Sequence, residues 1–137
     1  MTERITLAPI LEALTTLSTW IERYAKLNGI STRAAFQLEL VLTEAVTNII
    51  EHGQPAAESE AIEIVCVRQN DQLHIEVIDQ CRAFDPTALA PHAQPANLGE
   101  ATPGGLGVHL IRRYCREMRY QHKAGSNHLY LTLAAGD

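Results

Sequence analysis

The chain lacks any run of about 18 apolar residues and has no positively charged start followed by an apolar core. Neither a membrane-spanning helix nor a secretory signal is therefore indicated, and a cytoplasmic protein is expected. Cysteine is sparse: Cys66, Cys81 and Cys115 are odd in number and show no CxxC spacing. That argues against both a disulfide framework and a structural zinc site, and leaves thiols in a reducing compartment as the simpler account. The six histidines show no metal-ligand spacing either. Positive charge is also short, since the formal net charge is −5. A dedicated nucleic-acid binder is disfavoured, because neutralising phosphates supplies most of such affinity. Arg112, Arg113, Arg116 and Arg119 fall within eight residues, but on a helix they spread over more than one face. They read mainly as solvated charge, with docking of an acidic partner as the weaker reading. No internal repeat is present.

What is there suits a single domain over 1–137, large enough at 46% hydrophobic content to fold around one core without staples. Ile5 and Leu7 alternate within Arg4 to Ala8, enough for a short edge strand. Pro9 suits a first helical turn, and Ile10, Leu14, Leu17, Ile21 and Tyr24 then repeat at helical spacing until Asn28-Gly29 supplies a stop. Trp20 lies at the edge of that stripe, as core or as an interface anchor. Ser31 or Thr32 can cap a second helix ending at Gly53. Its apolar stripe is Ala35, Leu38, Leu42, Ala45 and Ile49, which puts Gln37, Glu44, Asn48 and Glu51 on the opposite side. Glu44 and Asn48, four apart, are neighbours there.

After a loop from Gln54 to Glu60, Ala61 to Arg68 and Leu73 to Asp79 form an antiparallel hairpin turning at Asn70-Asp71. Leu73, Ile75 and Val77 share one face, and the strand ends on Asp79. From Cys81 to Thr102 the composition shifts to proline, alanine, glycine and asparagine without periodicity, as in a lid or binding loop. Gly104-Gly105-Leu106-Gly107 then feeds a helix with Val108, Ile111 and Cys115 at helical spacing. Two strands follow, about Arg119 to Lys123 and His128 to Leu133, joined by a turn at Ala124-Gly125-Ser126-Asn127.

A glycine-rich turn opening a helix is a generic anion site, since glycines allow close backbone approach and the helix start offers unpaired N–H groups. It is not a Walker A loop, because GxxxxGK[ST] and its lysine are missing. Nor is it a Rossmann fingerprint, which needs a strand immediately before the glycines.

The order of these pieces resembles the N, G1 and G2 boxes of the GHKL ATPases. It is most similar to their anti-sigma-factor serine/threonine kinases, the RsbW-like proteins with a histidine-kinase-like ATPase domain. The boxes are Glu44-Ala45-Val46-Thr47-Asn48-Ile49-Ile50-Glu51-His52, then Asp79-Gln80-Cys81-Arg82-Ala83-Phe84-Asp85-Pro86, then Gly104-Gly105-Leu106-Gly107-Val108-His109-Leu110-Ile111. The resemblance implies an α+β fold of the GHKL (Bergerat) type: a two-layer α/β sandwich whose mixed, mostly antiparallel sheet is covered by helices on one face. A lid-like loop would lie at about 82–103. It further implies Mg2+ and ATP as cofactors, with Glu44 as the catalytic base and Asn48 as the magnesium ligand. Asp79 would accept from the adenine amino group, and Gly105, Leu106 and Gly107 would hold phosphates. A carboxylate within reach of a hydroxyl proton, and a carboxamide oxygen for a hard cation, are chemically reasonable in those roles. The implied partners are an anti-anti-sigma (STAS-like) substrate protein, a sigma factor to sequester and a second copy of the chain; nucleic acid and membrane are not implied.

Cys81 departs from the family, which has glycine at that place in the second box. If φ there were positive, a side chain would cost about 1 kcal/mol or more. A non-catalytic partner-binding module with weakened ATP binding is the alternative that this departure keeps open.

Overall fold

The computed structural model describes residues 2–52, 61–83, 85–88 and 111–136. Strands β1 (Thr2–Leu7), β2 (Ile62–Gln69), β3 (Gln72–Asp79), β4 (Glu117–Lys123) and β5 (Ser126–Ala134) form one sheet in the order β1-β2-β3-β5-β4. Every pairing among them is antiparallel, which narrows the mixed, mostly antiparallel sheet expected from the resemblance. Helices α1 (Ala13–Asn28) and α2 (Thr32–His52) supply the second layer. Among the described residues no helix is long and apolar enough to cross a membrane. The loop at 54–60, most of the 82–103 segment and the 104–107 turn lie outside the described residues.

Strand alternation decides which sheet face the helices cover. Ile62, Ile64 and Cys66 of β2, Leu73, Ile75 and Val77 of β3, and Leu129, Leu131 and Leu133 of β5 are all buried. They alternate with residues that point the other way, half-buried except for the buried Thr132 of β5, as period-2 geometry requires. Against them pack Leu17, Trp20, Ile21 and Tyr24 of α1 and Leu38, Val41, Leu42 and Val46 of α2. Fully burying a Leu, Ile or Val side chain stabilises by about 1.5–3 kcal/mol. Trp20 is core rather than anchor: it stacks on Tyr24 at 5.4 Å between ring centroids.

The connection between the helices is local chemistry. Gly29 takes φ 63°, and Ile30 returns its N–H to Ala25 O at 3.0 Å, closing α1 with a left-handed residue. Arg68 of β2 covers the same end, donating from Nη1 to Asn28 O. Two residues on, Ser31 Oγ accepts from Ala34 N–H at 3.1 Å and caps α2. The start of α1 differs from expectation. Pro9 precedes the helix, and short bonds such as Ile10 N–H to Ala8 O and Ala13 N–H to Ile10 O carry the chain into Ala13.

The buried stripe of α2 is also wider than one heptad-like row, and rotated from the expected one. Ala34, Leu38, Val41, Ala45 and Asn48 are spaced 4, 3, 4 and 3 and are all buried, with Leu42 and Val46 beside them. Ala35 and Ile49 lie at its margins. The helix packs on both α1 and the sheet, so it needs apolar surface over a wide arc. Asn48 therefore does not sit on a solvated face, as the narrower stripe implied; it continues the buried one.

Candidate active site

Where the apolar core reaches the C-terminal end of β3, it gives way to polar groups. Asp79 is the last residue of β3 and pairs across the sheet with Asn127, near the start of β5. Both side chains follow the inward register of the strands: Asp79 continues Leu73, Ile75 and Val77, and Asn127 precedes Leu129 and Leu131. Asp79 is 4% exposed and Asn127 5% exposed. Burying such groups is costly unless they are hydrogen-bonded.

They are thoroughly bonded. Asp79 Oδ1 accepts from Cys81 N–H at 2.9 Å and from Asn127 Nδ2 at 2.9 Å. Asn127 Nδ2 also lies 3.2 Å from the carbonyl oxygens of Cys81 and Arg82. Its Oδ1 accepts from Tyr120 Oη, and His122 Nδ1 lies 3.0 Å away, donating in its Nδ1–H tautomer. The amide orientation is thus fixed by chemistry at both ends: acceptors ring the nitrogen, donors the oxygen. Among the described residues Asp79 Oδ2 has no hydrogen-bond partner.

Cys81 fits this arrangement without the strain considered above. Its φ is not positive, and its N–H closes a short turn back onto Asp79. The cysteines form no disulfide, and burial pushes the thiols of Cys66 and Cys115 up to about 12. Both are accordingly poor nucleophiles.

Asn48 reaches the same place from α2. It is 3% exposed, and neither Oδ1 nor Nδ2 has a hydrogen-bond partner among the described residues. Together with Asp79, Asn127, Tyr120 and Pro86 it lines a cavity of about 30 Å³. That is about the share of one water in the liquid, so a purine would enter only as α2 and the end of β3 part. The donor set nevertheless suits the groups implied. An orphaned buried carboxamide oxygen suits a hard cation that keeps most of its other positions for phosphate oxygens and water. The open oxygen of Asp79 suits an exocyclic amine. Among the described residues there is no group of three His, Cys, Asp or Glu side chains that would make a protein-only metal cage.

Glu44 stands one helical turn before Asn48 and does not line that cavity. It borders a shallow groove of about 250 Å³ with Phe36, Glu39, Leu40 and Thr43. Partial burial, and after it the charge of Glu51, raise its pKa above the ordinary glutamate value. A carboxylate so placed is a better proton acceptor near neutral pH.

The structure therefore brings Asn48 and Asp79 together at one cavity and leaves Glu44, one helical turn from Asn48, bordering a separate groove, while Gly105, Leu106 and Gly107 lie outside the described residues. Sequence reasoning missed Asn127, placing it in a turn. The turn is Ala124-Gly125, and Asn127 belongs to β5. The available signal was its parity with Leu129, Leu131 and Leu133: a polar residue continuing an inward row. The arginine group also resolves, with Arg112 Nη2 donating to Thr87 O at 2.8 Å and Arg119 lying 4.4 Å over the Tyr130 ring.

A family model described as a histidine kinase-like ATPase domain matches residues 7–133. The serine/threonine-protein kinase BtrW of Bordetella bronchiseptica is 32% identical over 113 residues, covering 82% of this chain and 80% of that protein. The serine-protein kinase RsbW of Listeria monocytogenes is 28% identical over 109 residues, covering 72% of this chain and 69% of that one. Among solved structures, the RsbU and RsbW domains of a Mycobacterium tuberculosis protein match 98% of this chain with a TM-score of 0.71 at 19% identity, a likeness of fold. This chain spans 33% of that longer one.

Proposed function

This chain belongs to the histidine kinase-like ATPase domain family, and from that premise we propose that it is a protein serine/threonine kinase of the anti-sigma-factor type. It binds Mg-ATP and phosphorylates a serine or threonine on a small partner resembling an anti-anti-sigma (STAS-like) protein. Sequestration of a sigma factor is a second activity of the same kind of regulator, and the working form is a homodimer in the cytoplasm. The relatives named as serine/threonine- and serine-protein kinases support this reading. The observation that carries it is the pairing, within one cavity, of Asp79 with an open oxygen and Asn48 with an unsatisfied amide.

Each residue then has a defined task. Asp79 Oδ2 accepts a hydrogen bond from the adenine amino group. Asn48 Oδ1 would hold the magnesium ion, which would supply positive charge to neutralise the phosphates. Glu44 takes the proton of the attacking hydroxyl as the oxygen–phosphorus bond forms and the bond to the β–γ bridging oxygen breaks. The γ-phosphoryl group ends on the acceptor, and ADP leaves. Orientation of the hydroxyl and the phosphate does much of the work in such a reaction. Gly105, Leu106 and Gly107, which lie outside the described residues, are assigned to the phosphates by the same family resemblance.

Titration with Mg-ATP, followed by transfer of labelled γ-phosphate to a co-encoded partner, tests the proposal. Binding together with transfer to serine or threonine supports it. Absence of Mg-ATP binding at millimolar concentration ends the kinase reading.

A further inference from the structure

The proposed recognition of ATP assigns the base contact to Asp79, yet Asp79 is one member of a connected set. Cross-strand register builds it. Asp79 and Asn127 are direct partners between β3 and β5, and Asn127 and His122 are direct partners between β5 and β4. Tyr120 sits two residues along β4 from His122, opposite Leu129, within diagonal reach of Asn127. A polar chain thus runs across three neighbouring strands from the sheet edge at β4 to the cavity.

On this reading of the site, we infer that Asn127 is a positioning residue for Asp79 and, through it, sets preference for a purine that carries an amino group. The reasoning is directional. Asn127 Nδ2 and Cys81 N–H both donate to the same carboxylate oxygen, Oδ1, at 2.9 Å each. Two donors on one oxygen fix the plane of the carboxylate and leave Oδ2 as the acceptor that Asp79, a residue lining the cavity, can still offer. Asn127 cannot flip to present its own oxygen there, because Tyr120 Oη and His122 already donate to Oδ1 of the amide and two backbone carbonyls face its nitrogen. A reserved acceptor rewards an N–H at the purine 6-position. It finds no partner in a base bearing hydrogen there, and meets another acceptor in a 6-oxo base, leaving a buried polar group unpaired.

The test is a ratio of affinities, which loss of fold alone would not alter. Calorimetric titration of the purified chain with Mg-ATP, the magnesium salt of purine riboside triphosphate and that of inosine triphosphate gives the wild-type preference. ATP is expected to bind about tenfold or more tighter than either analogue. In Asn127→Ala the three nucleotides should bind within about threefold of one another. Tyr120→Phe, which keeps the ring and removes only the orienting hydroxyl, should fall between. Circular dichroism and melting establish that each variant is folded. An unchanged ratio in folded Asn127→Ala, with all three affinities lowered alike, overturns the inference and leaves the ATP reading intact. If that variant does not fold, an unchanged ratio in Tyr120→Phe overturns it. If the wild-type chain binds none of the three, the proposed function fails, and this inference with it.

Discussion

Asp79 and Asn48 are buried polar residues lining one cavity, yet they are provisioned in opposite ways. The sheet wall is saturated except at Asp79 Oδ2: Asp79 Oδ1, Asn127, Tyr120 and His122 bond to one another. The helix wall is not, for Asn48 has both amide atoms buried without a partner among the described residues. A folded chain tolerates an orphaned amide only at a cost of about 1–3 kcal/mol. Under the proposed function, the contrast separates recognition from catalysis. Groups that must be held in a fixed direction to read a ligand are tied to their own scaffold, whereas a group that must bond to an incoming ion or phosphate is left open. Glu44, on the same helix as Asn48, belongs to the open side, with its proton affinity raised by burial and by Glu51.

The largest expected effect lies on that open side. Glu44→Gln keeps the shape and removes the proton acceptor, so phosphotransfer to the partner should fall about 10²–10⁴-fold. Affinity for Mg-ATP should stay within a few-fold. Single-turnover transfer with labelled ATP measures the first and calorimetry the second. Transfer at the wild-type rate would remove Glu44 from the chemistry and dissolve the division between the two walls.

Stability should change in opposite directions when each wall loses its amide. Asn127→Ala strips partners from Asp79, Tyr120 and His122 and should cost about 1–3 kcal/mol in urea unfolding. Asn48→Leu replaces an unsatisfied amide by an apolar group of similar size and should stabilise the ligand-free chain by about 1 kcal/mol. The same variant should lose the dependence of ATP affinity on magnesium. If both substitutions destabilise alike, Asn48 has partners in solution and the contrast is wrong.

A smaller effect concerns pH. Because the folded-state pKa of Glu44 is raised, ionised Glu44 is disfavoured by folding. That cost is fully present above the folded pKa, declines as pH falls through it, and is gone below the unfolded value. For transfer the sign is opposite, since protonation removes the base. The rate should therefore decline on the acid side along a limb lying above the ordinary glutamate value of about 4.3. Burial is the leading cause and the Glu51 charge the second, so Glu51→Gln should move the limb modestly toward lower pH. A limb that stays fixed in Glu51→Gln would show that this neighbour is screened by solvent.

How much of this was legible beforehand follows from what each residue answers to. The hairpin from β2 to β3, the α1 stop at Gly29 and the α2 cap at Ser31 were readable because turn and cap residues act locally. Asp79 was readable as the end of an alternating strand, and Glu44 with Asn48 as one turn of a helix. The burial of Asn48 was not, because the width of the α2 stripe depends on how many layers the helix touches. Asn127 was hidden for a related reason: beside glycine and serine its composition suggests a turn, and only the register with Asp79 reveals it as part of a wall. The glycine turn at 104–107 was read from sequence, and its residues lie outside those the structure describes.

That register depends on the turn between β4 and β5, where the smallest effect is expected. Ala124 and Gly125 both have positive φ, 53° and 80°, the pattern of a type I′ hairpin. A slip of one residue would carry Asn127 to the opposite sheet face and empty the saturated wall. Alanine is a poor occupant of that conformation, at about 1 kcal/mol. The first hairpin makes the contrast within the same molecule, using Asn70 at φ 55° in its own tight turn. Glycine at 124 would relieve the strain but add freedom to the unfolded chain, so the two terms would nearly cancel. Asparagine tolerates the left-handed region without that entropic cost. Ala124→Asn should therefore raise stability by about 0.5 kcal/mol in urea unfolding and leave the preference for ATP over purine riboside triphosphate unchanged. Since Ala124 is exposed and distant in role from the cavity, a gain in stability with a changed preference would mean that the wild-type turn does not hold the β5 register by itself. The saturation around Asp79 would then be a property of a strained pairing rather than of the side chains that make it.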